Sequence, residues 1–156
     1  MKHARDLTGQ MSVDQMSEMH GLARLVVAAL RAWNAGGAIR AHALLCERMA
    51  EPMALTAFEA LQDVTEVLGA TLRRPLRCHA PHCPCVGMDE AAFARFVEEA
   101  ALGEREDALM MASVLVNARG ILALTEAAAR FGLSLQRAAL CVQTARIPEP
   151  ISATRH

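Results

Sequence analysis

Arg77-Cys78-His79-Ala80-Pro81-His82-Cys83-Pro84-Cys85-Val86 interrupts a chain that otherwise reads as helix. Pro81 and Pro84, with Pro75 upstream, remove backbone donors and fix φ, so residues 75–88 form a loop between helices. Five of the eight residues from Cys78 to Cys85 carry a thiol or an imidazole, the side chains that bind zinc and other borderline metals. The fold is therefore read as all-α, with one non-helical stretch in which the chemistry is concentrated.

Working outward, Asp89 is a fair N-cap for a helix over 90–102 that buries Phe93, Phe96, Val97 and Ala100 and is closed by Gly103. Glu104, Glu106 and Asp107 favour the first turn of a helix over 104–117, whose run Ala108 to Val116 predicts burial on most sides. Segments 121–131 and 133–143 follow, separated by a break at Gly132. On the other side of the loop, Pro52 suits the first turn of a helix that Leu55, Phe58, Leu61, Val64, Leu68 and Leu72 extend to about Arg73. A helix over 38–50 precedes it. The first helix, 13–34, starts at a capping-box pattern, Ser12-x-x-Gln15, and ends at Gly36-Gly37, with Arg24 and Arg31, seven apart, marking its solvent face. The sum is a single-domain bundle of six or seven helices over 12–143, with a metal-binding loop at 75–88. Segments 1–11 and 144–156 are read as flexible.

Composition supports this reading. The chain is 53% hydrophobic and 3% aromatic, so its core is built from Ala, Leu, Val and Met, a mixture that favours helix. A net charge of −1 leaves no electrostatic footprint for nucleic acid. The polar N-terminal stretch lacks the apolar run of a secretory signal, and the run Leu25 to Leu30 is far too short to span a membrane. A cytoplasmic location follows, with reduced thiols, as an odd count of five cysteines also suggests.

Zinc is the cofactor this loop predicts. A closed site takes four Cys or His ligands, and two routes supply them. The loop alone offers Cys78, Cys83 and Cys85 with His79 or His82. In the second and preferred route, loop ligands meet His42 and Cys46, which lie four apart on one helical face, so that the metal ties loop to helix. An iron–sulfur cluster on the three loop cysteines and Cys46 ranks lower, because Cys-x-Cys is not a common cluster spacing. Cys141 reads as core, and Met16, Met19 and His20 as packing rather than copper ligands.

Several common catalytic signatures are missing: no His-Glu-x-x-His, no His-x-Glu with Pro-Cys-x-x-Cys, no phosphate loop and no nucleophile elbow. The chain is accordingly not read as an enzyme. The leading expectation is a regulatory, zinc-binding helical protein, its metal structural or sensory, acting through a protein partner or a homo-oligomer. One alternative is a DNA-binding regulator, since Leu124 to Ala138 resembles a helix-turn-helix with Gly132 in the turn and Gln136 and Arg137 offered to a groove; the charge does not support it. The other is a metal-free thiol redox sensor, with Arg73, Arg74 and Arg77 lowering a thiol pKa.

Overall fold

The computed structural model describes residues 12–145. Among them are five helices, α1 (Gly21–Arg48), α2 (Glu51–Thr71), α3 (Met88–Leu102), α4 (Arg105–Leu115) and α5 (Ile121–Ala145), and two short strands, β1 (Ser12–Gln15) and β2 (Cys85–Gly87). The all-α class holds in its coarse form. The expected terminal segments, 1–11 and most of 144–156, lie outside the described residues, and Thr144 and Ala145 belong to α5.

The helical elements number five rather than six or seven, and the two glycine sites expected to divide helices behave differently. At Gly36-Gly37 the expected break is present: both residues leave helical φ/ψ, and 21–48 is two helical segments joined across a kink. Gly37 takes φ 64° and ψ −155° there, a conformation open essentially to glycine alone. At Gly132 the expected break is absent. A Cβ at that position would lie 2.6 Å from the Ala101 Cβ and 3.0 Å from the Val97 carbonyl oxygen, so the glycine serves a close approach of α5 to α3. The turn of a helix-turn-helix is therefore missing, and residues 124–138 run inside one continuous helix.

Ser12 begins a strand rather than a helix. β1 pairs antiparallel with β2 in the register Ser12↔Gly87, Asp14↔Val86 and Gln15↔Cys85, and the Met16 amide donates to the Pro84 carbonyl at 2.8 Å. The end of the Cys/His loop is thus stitched to the segment preceding α1.

The core lies where α1, α2, α3 and α5 meet, around Phe93, Phe96, Phe131, Leu45, Leu61, Leu124 and Leu135. Buried alanines such as Ala54, Ala57, Ala127 and Ala128 let the helices approach closely. α3 ends as the sequence predicts, with Gly103 left-handed at φ 84°. α4 departs from expectation. Only Ala108 and Ala112 are buried, and Met110 and Val114 face outward, because a short helix at the edge of the bundle has one neighbouring face to cover.

Candidate metal centre in the cysteine and histidine loop

The loop is ordered by a buried ion pair. Arg31, expected on the solvent face of α1, is 1% exposed, and Glu90 in the first turn of α3 is fully buried. Arg31 Nε donates to Glu90 Oε1 at 2.6 Å and Nη2 to Oε2 at 2.9 Å. Its remaining donors reach the loop backbone, Nη1 to the Cys83 carbonyl at 2.7 Å and Nη2 to the Cys85 carbonyl at 2.6 Å. A guanidinium has the donors to serve all four contacts from one plane, which an ammonium group does not.

Glu90 is equally committed. It accepts from the backbone amides of His79 at 3.0 Å and Gly87 at 2.9 Å, and its Oε2 lies 3.2 Å from His79 Nδ1. Burial pushes its carboxyl up, but the hydrogen bonds from Arg31, Gly87 and His79 outweigh this, and the pKa lies below its ordinary 4.5. A buried charge is tolerable only when paired and hydrogen-bonded in this way.

Asp89 closes the other side. Instead of capping α3, its carboxylate receives Arg74 Nη2 at 2.7 Å, Arg74 Nη1 at 2.8 Å and the Arg77 amide at 2.8 Å. Arg73 donates to the carbonyls of Ser113 and Val116, both at 3.0 Å. These contacts direct Arg73 to backbone carbonyls and Arg74 to Asp89, and of Arg77 they engage the backbone amide. Desolvation, reinforced by the Glu90 charge, pushes the Cys78 thiol up to about 12.

All five cysteines are free thiols. Cys78, Cys83 and Cys85 are half-buried, the Cys83 amide closes a turn onto the Ala80 carbonyl at 3.0 Å, and His82 is exposed at the tip. His42 and Cys46 do come together, Cys46 Sγ lying 3.6 Å from His42 Nε2, but away from the loop. The His42 ring packs edge-on against Phe58 of α2, with centroids 4.9 Å apart, and it stands on the segment of α1 beyond the Gly36-Gly37 kink, whereas Arg31, which holds the loop, stands before it. Among the described residues no three His, Cys, Asp or Glu side chains converge as they stand into a metal-holding group. Cys141, read as core, is exposed near the end of α5.

Arg31, Asp89 and Glu90 escaped the sequence reading as site residues. One signal was available: Arg31 is the only charge between Leu25 and Trp33, and a lone arginine in an apolar run needs a buried partner. Comparison of the chain with known protein families, curated proteins and solved structures gives no match.

Proposed function

We propose that this is a zinc-binding helical protein whose metal is sensory, taken up and released on a loop that is held in place without it. The observation that carries this reading is His79. Its Nδ1 lies beside the buried Glu90 carboxylate at 3.2 Å, and among the described residues its Nε2 has no hydrogen-bond partner. A carboxylate on one ring nitrogen is the usual support of a histidine that ligates through the other, fixing its tautomer and raising its basicity. Cys78, Cys83 and Cys85 share the same short loop. With the His79 Nε2 they make up a Cys3His set, which zinc would gather by side-chain rotation on a fixed backbone.

The sensory role follows from the anchoring. Zinc fingers fold only with their metal because nothing else orders the chain. Here Arg31, Glu90 and Asp89 already order the loop, so the bundle does not need zinc to fold. At Cys78 the raised pKa opposes the thiolate that a metal-free redox sensor needs, whereas bound zinc would itself supply the charge that stabilises that thiolate.

Metal content by elemental analysis of anaerobically purified protein reconstituted with zinc tests the reading. One zinc per chain is expected, lost in Cys83→Ser/Cys85→Ser and weakened in His79→Gln. Helical circular dichroism should survive chelation. Absence of zinc from reconstituted wild type would overturn metal binding, and loss of helix on chelation would make the metal structural instead.

A further inference from the structure

We propose that the face formed by α2 and α5 is the interface of a two-fold symmetric homodimer, independently of the metal reading. The two helices run antiparallel: Thr71 at the end of α2 meets Gly120 before α5, and Asp63 pairs with Arg130 near the middle at 2.8 Å. Towards the other end they diverge into an open groove of about 800 Å3 with Met53, Ala60, Leu133 and Leu140 along it. Leu140 is 61% exposed and stands between this groove and a second of about 380 Å3, against Leu22 and Leu25 of α1. Leu133 and Leu140, both exposed beside these apolar grooves, make a surface that gains by being covered.

The walls of the larger groove identify the occupant. The α2 wall is acidic, with Glu59 and Asp63, and the α5 wall is basic, with Arg130 and Arg137. Asp63 and Arg130 neutralise each other, whereas Glu59 and Arg137, both exposed, have no ion-pair partner among the described residues. From the level of the Asp63–Arg130 pair, Glu59 lies one turn, about 6 Å, along the groove, and Arg137 two turns, about 10 Å, in the same direction. A two-fold axis parallel to the groove lays the acidic wall of each copy over the basic wall of the other at unchanged height. Glu59 of one copy then meets Arg137 of its partner twice, within the reach of an arginine side chain, while the two Leu140 ridges cover apolar floor. Self-complementarity of this kind is what an isologous interface requires, and the charge pairs fix its register.

Sedimentation equilibrium of the full chain over a concentration series tests this. Wild type should dimerise. Arg137→Glu should weaken the dimer by about tenfold or more, Leu140→Asp should abolish it, and Glu59→Arg/Arg137→Glu should restore it, with unchanged circular dichroism showing that each variant folds. Three results would overturn the proposal: wild type monomeric at about 100 μM; a dimer indifferent to Leu140→Asp; or a charge reversal that the double variant fails to rescue, which would refute the register. A monomer that binds an amphipathic peptide in the groove would count against it equally.

Discussion

The loop end of the bundle and the α2–α5 face are built from the same chemical pair, an arginine and a carboxylate, put to opposite uses. Arg31–Glu90 has side chains 1% and 0% exposed and donates onward to two loop carbonyls. Arg130–Asp63 has side chains 58% and 53% exposed and joins two helices at the surface. The first is strong because each lost contact leaves a buried charge unsatisfied, the second weak because water replaces whatever is lost. Position, not residue type, decides what an ion pair does.

The largest effect should come from breaking the buried pair. Arg31→Ala leaves Glu90 charged and unpaired in the interior and should cost about 3–5 kcal/mol in urea unfolding; a loss below about 1 kcal/mol would mean that water reaches Glu90 and that the contrast is false. Next comes the back of α5. Gly132→Ala brings a methyl against Ala101 and the Val97 carbonyl and should destabilise by about 1–3 kcal/mol, despite the helix preference of alanine. Were Gly132 a turn residue, the helical content would change instead.

Acid separates the two regions further. The folded Glu90 pKa lies below its ordinary 4.5, so its stabilisation of the metal-free chain is fully present above that value and is lost as pH falls through the folded pKa. Glu90→Gln should flatten this limb of the stability profile, and an unchanged limb would assign the acid sensitivity to other carboxylates. The smallest effect belongs to the pair exposed in the monomer. At protein concentrations too low for the proposed dimer, Asp63→Asn should cost at most about 1 kcal/mol and less at high salt. A larger, salt-independent loss would show that the groove wall is buried, as a partner copy would make it.

Several elements were legible because their causes are local. Pro75, Pro81 and Pro84 break the helix wherever the chain goes, Gly103 ends α3 by its left-handed φ, and the spacing of Leu61, Val64 and Leu68 marks the inner face of α2. The break at Gly36-Gly37 was legible as well, whereas the continuous helix through Gly132 was not. A glycine ends a helix or lets two helices touch, and Gly132 does the second only because α3 passes within contact distance. The Ser12 capping pattern likewise yielded to a strand partner some seventy residues away.

For the candidate site, the sequence by itself determined which ligating side chains share one loop and that the loop is not helix. The tertiary structure alone decided what holds that loop. Whether Arg31 faces water or the interior depends on Glu90, fifty-nine positions away, and a periodicity argument that places charges outward has no knowledge of a buried partner. It also decided that His42 packs against Phe58, with Cys46 beside the imidazole, instead of closing on the loop, because the kink at Gly36-Gly37 sets where they stand.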